Sequence, residues 1–125
     1  LYPPDPQSRC NGERWMDWQL TTMSPTLVPV FWGMIRTAPE DRDMAAIGKA
    51  REALTANIAI VNNHLANSAY LAGDSFTVCD IPLGITAYRW FVMDIEREDY
   101  PHFQRWYDLL CERPAFQEHV MNPLA

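Results

Sequence analysis

Apolar side chains recur at spacings of three and four through the first third of the chain, at Trp15, Met16, Trp18, Leu20, Met23, Leu27, Phe31 and Met34. That rhythm predicts one broad apolar face on a helix of about 30 residues. Asp5 is placed to cap it, and Pro6 suits its first position, where a missing N–H costs nothing. Pro25 and Pro29 fall inside it. Each removes a backbone donor and crowds the preceding turn, so a bend or break is expected there, with the helix ending near Arg36. A polar connector from Thr37 to Arg42 follows, and Asp43 is the next plausible cap. Met44, Ile47, Leu54, Ile58, Val61 and Leu65 then mark a buried seam about six turns long, interrupted only by Arg51. Two long antiparallel helices are expected.

The segment Phe76-Thr77-Val78-Cys79-Asp80-Ile81 carries the strongest local signal. With Thr77 as N-cap, Asp80 stands three residues on, so the hydroxyl accepts from the Asp80 N–H while the carboxylate reaches back to the Thr77 N–H. Phe76 and Ile81 occupy the two positions that close a hydrophobic staple. Replacing Asp80 by Ala is expected on this basis to lower stability by about 1 to 3 kcal/mol. Pro82 should distort the first turn. Ile81, Leu83, Ile85, Ala87, Tyr88, Trp90 and Phe91 are apolar almost all round, which predicts a fully buried central helix. Pro101 opens another helix through Phe103, Trp106, Tyr107 and Leu110, and Pro114 starts a short last one through Phe116 and Val120 to Met121. No stretch alternates with period two, so the fold class is all-α.

Composition narrows the function more than the fold. The 125 residues are 48% hydrophobic with a formal charge of -6, which suits one domain spanning residues 1–125. Its apolar runs are far shorter than the roughly 20 residues of a membrane span. The ten basic residues are scattered, so no stripe exists for a phosphate backbone and nucleic-acid binding is not expected. Cys10, Cys79 and Cys111 are odd in number and lie in periodic apolar patterns, which reads as reduced core thiols in a cytoplasmic protein. His64, His102 and His119 have no metal-ligand spacing, and no metal site is expected. Motifs for a strained nucleophile or a phosphate loop are absent. The start at Leu1, without Met or a signal-like segment, reads as a chain trimmed at its N-terminus.

Several segments match one family in order. Leu1-Tyr2-Pro3, Arg14-Trp15-Met16-Asp17-Trp18, Tyr70-Leu71-Ala72-Gly73-Asp74, the Phe76–Gly84 run, Tyr100-Pro101-His102-Phe103 with Trp106-Tyr107, and Arg113-Pro114-Ala115-Phe116 together resemble the C-terminal half of a bacterial-type glutathione transferase. Cys79 stands where that family usually has Ala. The resemblance implies a helical bundle of two long antiparallel helices, a capped central helix and two shorter C-terminal ones. It implies a parent enzyme that conjugates glutathione to electrophiles, in a detoxifying role. A thioredoxin-like N-terminal domain, absent from this chain, would bind glutathione and carry the catalytic residue, so no catalytic residue is expected here.

The same resemblance assigns roles to residues. The helical domain would form the hydrophobic wall for the electrophile and part of a homodimer interface. Met16, Leu20, Met23, Leu27 and Phe31 are the substrate-wall candidates, and Met suits a permissive pocket because it repacks easily. Arg14 and Asp17 are the candidates to reach glutathione, with neighbouring Glu13 a lesser one. Ordinary core packing competes for the first set and a solvated or dimer-bridging face for the second. Thr77 and Asp80 are structural caps in this reading, and Tyr88 and Trp90 default to core. The alternative is a non-catalytic assembly module, as in translation factors.

Overall fold

Asp5 caps the first helix as its position predicts: its Oδ2 accepts from the Ser8 N–H at 2.9 Å, with Pro6 as first helical residue. The computed structural model describes residues 1–125, and α1 (Pro6–Trp18) leads through a π turn (Gln19–Met23) into α2 (Ser24–Phe31) and a second π turn (Trp32–Arg36). No break occurs at Pro25 or Pro29. The π turn lets the Ser24 N–H bond Gln19 O, five residues back, so the helix widens just ahead of the donorless Pro25 and carries on. Asn57 supports this stretch from the next helix, donating to the Thr22 carbonyl at 3.1 Å and to Thr26 Oγ1 at 3.2 Å.

After a short 3-10 turn (Pro39–Asp41), Asp43 caps α3 (Met44–Leu65), its Oδ1 accepting from the Ala46 N–H at 3.1 Å. Ile47, Leu54, Ile58, Val61 and Leu65 are buried as the seam predicts. Met44 is not: it is 60% exposed at the first helical residue, ahead of the turn where α3 meets the preceding helix. That meeting is close. A Cβ on Gly33 would come within 2.6 Å of Ile47 Cδ1, so the two backbones approach only because Gly33 has no side chain.

α4 (Asp80–Val92) packs against α2 and α5 (Pro101–Cys111), and α6 (Pro114–His119) closes over its start. Its first turn is tightened, as Pro82 predicts: the Asp80 N–H bonds Thr77 O at 3.0 Å and the Ile81 N–H bonds Val78 O at 3.2 Å. Leu83, Gly84, Thr86, Ala87, Tyr88 and Trp90 are buried, but Ile81, Ile85, Arg89 and Phe91 are only partly so. The expectation of a fully buried helix is therefore corrected. Spacings of four align Ile81, Ile85 and Arg89 on one partly exposed face.

The core joins Met23, Leu27 and Val30 to Leu54, Ile58, Val61 and Leu65 of α3, and these to Leu83, Ala87 and Trp90 of α4 and Phe103, Trp106 and Leu110 of α5. α5 is capped from a distance: Asn62 Oδ1 on α3 accepts from the His102 and Phe103 N–H groups at 2.9 and 3.0 Å. Removing it strands two helix-start donors. Asn62→Ala is expected to lower stability by about 1 to 2 kcal/mol, read as an earlier urea midpoint with an unchanged slope.

Of the three thiols only Cys79 is a core residue. Burial pushes its pKa up to about 11, which makes it a poor nucleophile. Cys10 is exposed on α1 and Cys111 half-buried on α5, because each sits at the edge of its helix's apolar face rather than on it.

Candidate functional site

The five substrate-wall candidates do not share a surface. Met23 and Leu27 are 0% and 2% exposed, so in this conformation neither has surface to offer a ligand. Leu20 is 69% exposed, and Met16 is half-buried against the core. The π turn at Gln19–Met23 is the reason: an added residue in the turn rotates everything beyond it relative to α1, so one continuous stripe in the sequence becomes two faces in space.

Phe31 lies where the second face ends, and it lines a hollow of about 360 Å³. α4 contributes Ile85, Tyr88 and Arg89 to that hollow, and His119, Val120 and residues 122–125 form its other wall. Tyr88 holds this wall in place by donating its hydroxyl to the Asn122 carbonyl at 2.5 Å. Trp90, the other aromatic considered on α4, is 1% exposed and belongs to the core.

Two guanidinium groups meet over the aromatic floor. Arg89 Cζ lies 4.7 Å from the Phe31 ring centroid, and Arg36 Cζ lies 5.4 Å from Phe31 and 4.5 Å from Trp32. These distances fall within the range of cation–π attraction. Arg36 and Arg89 were not among the sequence candidates. Arg89 did leave a signal, as a lone cation on the face of an otherwise apolar helix. Arg36 left none, since it reads as the end of one.

Arg14 and Asp17 come together elsewhere, on an open hollow of about 470 Å³ that they line with Trp15, Trp18 and Ile60. Both are exposed. Trp15 meets Trp18 edge-on at 5.4 Å and packs on His64 at 4.7 Å, which makes a rigid aromatic base beneath the two charges. Glu13 points to the start of the chain, where it accepts a hydrogen bond from the Tyr2 hydroxyl.

Thr77 and Asp80 form half of the expected capping box and something larger besides. Asp80 Oδ2 accepts from the Thr77 N–H at 2.9 Å as predicted. The reciprocal bond is not made: the Thr77 hydroxyl lies 3.1 Å from Cys79 Sγ, because the tight Val78-Cys79 turn presents the Thr77 carbonyl to the Asp80 N–H instead. Asp80 Oδ1 meanwhile accepts from the Leu71 N–H at 3.1 Å and from Trp106 Nε1 at 2.8 Å. One fully buried carboxylate thus joins the loop before α4, the start of α4 and the middle of α5. Phe76 and Ile81, the staple pair, line a hollow of about 230 Å³ with Leu1 and Phe116, and Arg113 Cζ sits 3.7 Å above the Phe76 ring.

No group of His, Cys, Asp and Glu is arranged to hold a metal ion, and no helix is long and apolar enough to cross a membrane.

A family model described as "Glutathione S-transferase, C-terminal domain" matches residues 18–114. The chain is 36% identical over 125 residues to the glutathione S-transferase GstB of Escherichia coli K12, covering all of this chain and 60% of that protein. It superposes with a TM-score of 0.98 and 43% identity on the theta class glutathione S-transferase of Xanthomonas axonopodis pv. citri, solved with glutathione bound, again covering all of this chain and 60% of that one. It is also 26% identical over 114 residues to elongation factor 1-gamma 2 of rice (Oryza sativa subsp. japonica), covering 85% of this chain and 26% of that protein. The chain spans about 60% of the length of the transferases it matches.

Proposed function

Because the chain belongs to the glutathione S-transferase C-terminal domain family, we propose that it forms the electrophile-binding wall of a two-domain transferase whose glutathione-binding half lies outside these residues. The observation that carries this reading is the Phe31 hollow. It is concave and aromatic-floored, built from two helices and a terminal segment, and has a few convergent polar groups, the usual make-up of a small-molecule site. Phe31, Ile85 and Tyr88 supply its apolar contact. Met16, half-buried, and Leu20, exposed, lie on the first helix away from this hollow.

In the proposed reaction the glutathione thiolate attacks an electrophilic carbon. The carbon–sulfur bond forms as the leaving group departs with its electron pair. No residue of this chain acts as nucleophile or base. The helical domain excludes water around the thiolate and holds the carbon within reach, which raises the rate by positioning and desolvation. Arg14 and Asp17 are proposed to reach glutathione held by a partner subunit, in a homodimer formed through the surface that carries Trp18 and Ile60. The setting proposed is cytoplasmic detoxification.

Conjugation of 1-chloro-2,4-dinitrobenzene by the full-length protein, with and without glutathione, tests this reading. Glutathione-dependent turnover is expected. Ile85→Ala is expected to raise KM for the electrophile about tenfold and to leave KM for glutathione unchanged, since one shortened apolar side chain in a pocket is worth roughly 1 to 3 kcal/mol. The match to elongation factor 1-gamma favours a second reading, a non-catalytic assembly module. Absence of glutathione-dependent turnover would select it.

A further inference from the structure

The charge of the Phe31 hollow is opposite to that of the chain around it. The chain carries a formal charge of -6, yet this hollow is lined by Arg36 and Arg89, has His119 at its rim, and has no Asp or Glu side chain in its lining. The guanidinium carbons of both lie within 5.4 Å of an aromatic ring centroid, and neither arginine pairs with an Asp or Glu side chain. Arg36 Nε donates to the Ala125 oxygen at 3.2 Å, which turns the guanidinium towards the hollow. Arg89 donates to no acceptor in the protein, and its Cζ lies 4.7 Å from the Phe31 ring centroid. A planar guanidinium of this kind matches a carboxylate with two parallel hydrogen bonds.

We propose that the electrophile taken by this hollow is an anion: an apolar or aromatic body that carries a carboxylate, with the carboxylate on Arg89 and Arg36 and the body on Phe31, Ile85 and Tyr88. This rests on the reading of the hollow as the electrophile wall and adds its substrate class. The buried Phe31 and Tyr88 rings in the floor of the hollow lower the local dielectric and strengthen the charge pairing relative to water. Neutral electrophiles of the same shape gain the apolar contact and leave the Arg89 guanidinium without an acceptor. The protein then discriminates by charge at one end of the substrate while the glutathione thiolate attacks at the other. In the test reaction below, the carbon–sulfur bond forms, the carbon–chlorine bond breaks, and chloride leaves with the electron pair.

The matched pair 4-chloro-3-nitrobenzoate and its methyl ester tests the proposal, since the two share the reacting ring and differ in charge. Equilibrium binding is followed by tryptophan fluorescence, for which Trp32 under Arg36 is a local reporter, and turnover with glutathione is followed in the full-length protein. The acid is expected to bind at least about tenfold tighter than the ester at low salt, with the advantage shrinking as salt is added. Arg89→Gln should remove most of that preference and leave the ester unchanged, while Lys49→Gln, an exposed charge loss on α3, should alter neither. Equal binding of acid and ester, or a preference that survives Arg89→Gln, overturns the anionic assignment and leaves the electrophile wall standing. Failure of both compounds to bind or react overturns the wall and the assignment with it.

Discussion

Asp80→Ala is expected to destabilise the chain by about 3 to 5 kcal/mol, a large part of the roughly 5 to 15 kcal/mol that holds a domain of this size together. Local capping alone puts the loss at about 1 to 3 kcal/mol. The larger figure follows from the geometry: the Leu71 and Thr77 N–H groups and the Trp106 indole N–H all end on this carboxylate, and all are left in a buried site when it is removed. Each buried donor without a partner costs about 1 to 3 kcal/mol, only partly offset by no longer burying the charge. Chemical denaturation measures the effect. A loss below about 1 kcal/mol would mean that the three-way junction is not formed.

The same residue sets a pH dependence with a definite sign. Burial raises the Asp80 pKa above its ordinary 3.8, against the pull of its three hydrogen bonds. The folded chain therefore keeps this proton to a higher pH than the unfolded chain does. Between the ordinary value and the raised one the folded state binds more protons, so Asp80's contribution to stability is present in full below 3.8 and is lost as pH rises through that window. Asp80→Asn, though less stable itself, should lack this component. Denaturation of the two proteins side by side at several pH values from 3 to 7 checks it.

Trp106→Ala is expected to cost about 4 to 5 kcal/mol, from the loss of a fully buried indole and the cavity it leaves. Trp106→Phe separates the two contributions. Phe keeps most of the packing beside Phe103, whose ring lies 5.5 Å away, and deletes only the donor to Asp80, for an expected loss of about 1 to 2 kcal/mol. Because Asp80 and Trp106 share one bond at 2.8 Å, their effects should not add. A double-mutant cycle with Asp80→Ala is expected to show coupling of about 1 kcal/mol or more. Additive losses would mean that the indole is only filling space.

Much of the fold was legible because its signals are local. Asp5 and Asp43 cap where their spacing says, Pro101 and Pro114 open helices, and the α3 seam from Ile47 to Leu65 is buried residue by residue. The misreadings are non-local or register-dependent. Nothing in the neighbourhood of Asp80 announces Leu71 or Trp106 as partners, because they are brought to it by packing of the loop and α5. Met44 and Cys10 fit periodic patterns whose faces end before reaching them. The five wall candidates do not share one face for a sharper reason: ideal helical periodicity was carried through Gln19–Met23, where the helix takes an extra residue and turns Met23 and Leu27 inward. Phe31 alone of the five lines the hollow, and its partners Arg36, Ile85 and Arg89 lie on other elements or past the predicted face.

The wall assignment meets its most direct test in amide chemical-shift mapping of the full-length protein titrated with S-(2,4-dinitrophenyl)glutathione, the conjugate that such a site would release. Shifts are expected to cluster at Phe31, Arg36, Ile85, Tyr88 and Arg89. Shifts confined to the Arg14, Trp18 and Ile60 surface, or none within the helical domain, would contradict the assignment.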